Sequence, residues 1–201
     1  TEIYTLSLHD ALPIYRVRKL RYEIVPGFWG AALLYEPEKP AVNAQGKAPG
    51  IVNVNGHVGP IGKAVDYKQK RCIQYARMGM YAVNLEWLQY GELAGDGNIH
   101  YNGAHLDLIG MNGLGIFYLN MRKGVDILWE HANVDRARIG VTGLSGGGWQ
   151  TITLSSLEER VAAAMPVAGY SAMISKLERT ADMGDHEQSA TDLLAGQEYT
   201  H

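Results

Sequence analysis

The stretch Gly143-Leu144-Ser145-Gly146-Gly147 has the form G-x-S-x-G. It follows an apolar, β-branched run, Ile139-Gly140-Val141-Thr142, and opens a segment of helical composition. A serine on a sharp turn between strand and helix is lifted clear of the sheet edge, where its hydroxyl can attack a carbonyl carbon. Glycines flank it because side chains there would strike the neighbouring strand and helix. The amide of Gly146, at the helix N-terminus, faces the same space and can stabilise a developing oxyanion. This context predicts acyl transfer through Ser145. No G-x-G-x-x-G run occurs that would instead mark dinucleotide binding.

A second element is Asn55-Gly56-His57-Val58-Gly59, which follows the buried run Ile51-Val52-Asn53-Val54. In the architecture that a G-x-S-x-G turn serves, a loop after an earlier strand supplies the other oxyanion amide. Val58 is the candidate donor. His57 is read as shaping that loop or lining the site, because the general base is expected after the serine in the chain. Glu86, at the end of the run 80–85, stands where parallel sheets present site residues. It either lines the site or fixes a loop. His100 and His105, with Asp96 and Asp107 nearby, match no strong metal-ligand spacing. His105 is kept as a substrate-facing candidate on a long loop, and no metal or cofactor is expected.

Strands and helices must alternate to position these groups. Residues 15–25 and 28–35 read as two strands divided by Pro26-Gly27. Short strands are predicted at 51–54, 80–85, 138–142 and 161–167, and helices at 66–78, 114–131 and 147–157. The strands from residue 51 onward are apolar throughout, as strands covered on both faces are. The fold class is therefore α/β: a mostly parallel sheet with helices on both faces. Cys72, Trp149 and the Tyr and Met residues of 114–129 read as packing. Residues 90–112 form an irregular Gly/Asn-rich stretch of a length that functional loops have.

The chain has 201 residues, which suits about one domain. Its formal net charge is −3 with no long basic run, so a nucleic-acid or anionic-membrane surface is not indicated. Apolar residues make up 46%, enough to collapse into a core. No apolar run is long enough to span a membrane. The single cysteine excludes an intrachain disulfide. Residues 1–14, TEIYTLSLHDALPI, resemble the translation of a sequencing-library adapter. They are therefore set apart from a domain spanning 15–201.

Residues 15–201 resemble the α/β-hydrolase superfamily, nearest its acetylxylan-esterase-like and prolyl-oligopeptidase-like branches. The likeness is carried by Asp135-Arg136-Ala137-Arg138 leading into the turn at 139–148, by Pro49-Gly50-Ile51-Val52 with Gly56-His57, and by Asn112-Gly113-Leu114-Gly115. It implies a serine hydrolase cleaving esters through an acyl-enzyme on Ser145, with an acetylated carbohydrate or another small ester as substrate. A serine peptidase or acyltransferase would use the same turn, and a non-catalytic domain could keep it for ligand binding alone. A secreted or periplasmic setting would agree with the resemblance.

In this fold the triad runs serine, acid, histidine along the chain. The run 161–167 counts as strand six, so the sequence reads as a fold truncated near that strand, with acid and histidine encoded beyond His201. Asp182, Asp185 and Glu187 are minor candidates for the acid, and His186 and His201 for the base. An uncovered apolar strand at 162–167 would also make the chain poorly soluble. The longer reading frame in the source DNA is expected to replace residues 1–14 and to continue past His201 with an Asp and a His. A frame that begins at Thr1 and stops at His201 would contradict both expectations.

Overall fold

The structure is a computed structural model that describes residues 2–6, 14–169 and 178. Asp182, Asp185, His186, Glu187 and His201 lie outside the described residues, as do the side chains of 2–6 and of Asp107. Seven strands form one sheet: β1 (Glu2–Leu6), β2 (Tyr15–Val25), β3 (Phe28–Pro37), β4 (Ala48–Asn53), β5 (Tyr81–Leu85), β6 (Val134–Leu144) and β7 (Ala163–Val167). Three helices accompany them: α1 (Asp66–Arg77), α2 (Gly113–Glu130) and α3 (Gly146–Leu157).

The strand order is β1-β2-β3-β5-β4-β6-β7. β4 pairs in parallel with β5 and β6, and β6 with β7. The hairpin β2–β3 and the β3–β5 pairing are antiparallel. β2, β5, β4, β6 and β7 thus run one way, with β3 and β1 reversed. This is a mixed α/β sheet in which the segments predicted as strands from residue 15 onward all appear. Glu2–Leu6 pairs with the outer edge of β2. An extended segment can pair there because β2 otherwise leaves its outer row of N–H and C=O groups open.

Alternation along the strands divides the core between two faces. Leu33, Tyr35 and Ala82 pack with Cys72 and Ala76 of α1. Leu34, Val52, Val83 and Leu85 pack on the other face with Phe117, Met121, Val125 and Leu128 of α2 and Leu154 of α3. The α2 residues recur at helical spacing, and the Asn112 side chain caps the helix by accepting from the Gly115 amide at 3.0 Å. Burial of the Cys72 thiol pushes its pKa up to about 12, so it is an inert packing group.

β6 is longer than the predicted run because Val134 pairs with Ala48 of β4 across a register shift. The stretch 90–112 contains two short 3-10 segments, Gly91–Leu93 and His100–Ile109. β7 is the last strand among the described residues, and its side chains are exposed. No helix among them is long and apolar enough to cross a membrane.

Candidate active site

Ser145 sits between the end of β6 and the start of α3 with φ 59° and ψ −121°. Left-handed backbone at a non-glycine residue costs roughly 1–3 kcal/mol and persists only where the surroundings impose it. Here they do. The Ser145 amide donates to the Val167 carbonyl at 2.9 Å, and its own carbonyl accepts from Gly148 and Trp149 at 2.7 and 3.1 Å. The side chain is exposed above the sheet. A Cβ on Gly143 would lie 2.5 Å from the carbonyl oxygens of Val54 and Gly147, and one on Gly147 would lie 2.6 Å from that of Val54. The turn therefore needs glycine on both sides of the serine, for the steric reason its sequence implies.

The loop after β4 crosses directly over this turn. A Cβ on Gly56 would meet the Gly146 nitrogen at 3.0 Å and the Gly147 nitrogen at 3.2 Å. The loop is tied down from two helices: Gln150 Nε2 of α3 donates to the Asn55 carbonyl at 2.8 Å, and Lys68 Nζ of α1 donates to the Gly56 carbonyl at 3.2 Å. His57 and Val58 come next in the chain.

Below the loop is a buried lattice of side-chain amides. Asn53 and Asn55 both donate to Asn84 Oδ1, at 2.9 and 2.7 Å, and Asn84 Nδ2 donates to the Lys63 carbonyl at 2.9 Å. Asn55 Nδ2 also donates to the Leu85 carbonyl, and Arg71 donates to Asn53 Oδ1 at 3.0 Å. These bonds fasten the end of β4 to the end of β5. Sequence reading passed over the three asparagines. Their signal was polar residues inside or directly after strands that are otherwise apolar and buried.

Glu86 belongs to this layer rather than to the open site. It is 1% exposed, accepts from the Lys63 amide at 2.7 Å, and pairs with Lys63 Nζ at 3.0 Å. Glu92 pairs with the same ammonium. Burial raises the Glu86 pKa against the opposing pull of Lys63. Of its two expected roles, the structure gives Glu86 the loop-fixing one: a carboxylate without water must take its hydrogen bonds from the loop packed on it.

His57 is exposed and stands over the ring of Trp87 at 4.7 Å, with Tyr90 5.7 Å away. Its Nε2 lies 3.1 Å from Nε2 of the buried His100, and Trp87 Nε1 donates to His100 Nδ1 at 3.3 Å. With Nδ1 accepting, a neutral His100 carries its proton on Nε2 and passes that hydrogen bond to His57. His100 was not singled out for the site, because only the folded loop brings it to His57. His105 is exposed on the same 3-10 segment and has no place in this cluster. Trp149 is buried, as its packing role requires. All described histidines precede Ser145 in the chain.

A mixed, mostly parallel sheet with helices on both faces, a strained serine between strand and helix, and a loop lying on that turn define an α/β-hydrolase. The acetyl xylan esterase (AXE1) family matches residues 12–196, and the chain belongs to it. No curated protein matches it by sequence. Among solved structures it is similar to the methylesterase BT1017, with 26% identity and a TM-score of 0.66, covering 85% of this chain and 36% of that one. It is also similar to acetyl xylan esterase 1 from Thermoanaerobacterium sp. JW/SL YS485, with 20% identity and a TM-score of 0.67, covering 96% and 60%. The acetyl xylan esterase from Paenibacillus sp. R4 shares 18% identity at a TM-score of 0.66, covering 91% and 58%. The chain thus spans between about a third and three fifths of the length of these proteins.

The Gly56 contact yields a specific expectation. The three nearest atoms a Cβ would meet there are backbone, at 3.0 to 3.2 Å, so Gly56→Ala must shift the loop or the turn by a few tenths of an ångström. Fluorophosphonate labelling of Ser145 is expected to slow at least about tenfold in this variant. The circular dichroism spectrum is expected to stay unchanged. Unaltered labelling would show that the contact has no functional weight.

Proposed function

We propose that the chain is the nucleophile-bearing part of a serine esterase acting on acetylated carbohydrate. The observation that carries this reading is the Ser145 backbone, held at φ 59° beneath the loop at Gly56, with the Gly146 amide beside it. Membership of the acetyl xylan esterase family supports the substrate class.

In this mechanism Ser145 Oγ attacks the ester carbonyl as its proton passes to a histidine base. The carbonyl oxygen becomes an oxyanion, taken by the Gly146 amide and by a second amide from the loop over the turn. Val58 is the donor expected from sequence, and the adjacency of Gly56 to Gly146 supports the His57 amide as an alternative donor. Collapse of the intermediate expels the sugar alkoxide, which receives the proton, and leaves acetyl on Ser145. Water, deprotonated by the same base, releases acetate and restores the serine.

The base and its orienting acid follow Ser145 in the chain order of this fold. Since the described histidines all precede the serine, the base belongs to the part of the protein after residue 169, with the acid between the serine and that base. His57 and His100 instead form the wall against which the substrate lies, with the exposed His57 ring as its contact face. A chain lacking base and acid would keep the oxyanion site and only residual turnover.

The test is acetate release from acetylated xylan by the full-length protein. Ser145→Ala is expected to lower kcat at least about 1,000-fold with KM little changed. It should also abolish fluorophosphonate labelling. Full activity or labelling in Ser145→Ala would sink the serine mechanism. Labelling without acetate release would point to another acyl group.

A further inference from the structure

Lys68 stands out because the fold buries a primary amine where an apolar side chain would fill the space at less cost. It lies in α1 with 1% of its surface exposed. Its Nζ makes one hydrogen bond among the described residues, to the Gly56 carbonyl at 3.2 Å. The charged groups that face it are Glu86, after β5, which favours its charge, and Arg71, on α1, which opposes it. Lys63, which also pairs with Glu86, is engaged by Glu92 as well. Burial outweighs these neighbours and brings the Lys68 pKa down to about 7.

The acceptor matters more than the donor. The Gly56 carbonyl and the His57 N–H belong to one peptide unit. A hydrogen bond into the carbonyl oxygen draws electron density from the nitrogen and strengthens the N–H as a donor. The preceding carbonyl, of Asn55, is held by Gln150 at 2.8 Å. Two successive carbonyls are therefore anchored from two helices on opposite faces of the sheet. The backbone between them has little freedom to rotate where it crosses Gly146.

We propose that Lys68 is a positioning residue for the oxyanion site: its ammonium, seated on the Gly56 carbonyl, fixes the Gly56–His57 peptide over the serine turn and strengthens the His57 N–H as an oxyanion donor. This rests on the serine-esterase reading and names a residue that serves it without touching substrate. Lys68 is charged below its pKa, so its contribution is full on the acid side and declines as pH rises through it. The histidine base acts in the opposite sense.

The experiment uses the full-length protein with p-nitrophenyl acetate, and Ser145→Ala as the blank. Lys68→Met keeps the length of the stem and removes the charge. It is expected to lower kcat about tenfold with KM within about twofold. It should also remove a decline in kcat on the alkaline side of about pH 7. An unchanged kcat and an unchanged alkaline limb overturn the proposal. A second measurement needs neither turnover nor a variant that folds. In isotopically labelled wild-type protein, the Gly56 carbonyl carbon and Lys68 Nζ are expected to titrate together near pH 7. Resonances that stay flat across that range overturn the proposal whether or not ester is cleaved. Co-titrating resonances without Ser145-dependent turnover support the Lys68 anchor and count against the esterase reading.

Discussion

The structure around Ser145 depends on one backbone-on-backbone contact. The loop after β4 touches the turn between β6 and α3 with no side chain between them. Gly56 lies against the nitrogens of Gly146 and Gly147, and Gly143 and Gly147 in turn lie against the Val54 carbonyl. Contacts this close keep the loop and turn amides on a common surface. They also fix how near β4 and β6 must lie, and the parallel register pairing Asn53 with Thr142 is what brings them there. The strain of φ 59° at Ser145 is sustained by that enclosure and by the bonds to Val167, Gly148 and Trp149.

A loop held only by such contacts would drift, because close backbone approach without hydrogen bonds supplies little attraction. The amide lattice of Asn53, Asn55 and Asn84 answers this. It sits where β4 and β5 end, and each bond made there replaces one lost to water on burial. The Lys63–Glu86 pair extends the lattice under the two segments that follow β4 and β5. Ion pairs so deep add little net stability over apolar packing, but breaking one partner leaves a charge with no water. Their effect is to make the loop geometry all-or-none rather than adjustable.

The aromatic and imidazole cluster of His57, Trp87, Tyr90 and His100 adjoins the start of α3. Trp87 links the two halves. Its ring edge would strike a Cβ on Gly146, while its Nε1 orders the His100 ring. The indole therefore touches both the loop that carries His100 and the serine turn. Such a wall offers flat faces and ring nitrogens in one place.

Much of this was legible before folding. The G-x-S-x-G turn, the six strands from residue 15 on and the three helices follow from local sterics and apolar periodicity, which act over a few residues and leave a direct mark on residue order. The likeness of residues 135–148 to the acetylxylan-esterase-like branch was equally local. Three features were decided only in three dimensions. Glu86 could line the site or fix a loop, and the outcome hung on Lys63, 23 positions away, reaching back to it. His100 joined His57 from 43 positions along the chain. Lys68 resembled any lysine of a surface helix until packing set its amine on the Gly56 carbonyl. In each case the deciding quantity is the desolvation of a polar group and the partner that compensates it. That partner is set by how strands order in the sheet, and no window of neighbouring residues contains it.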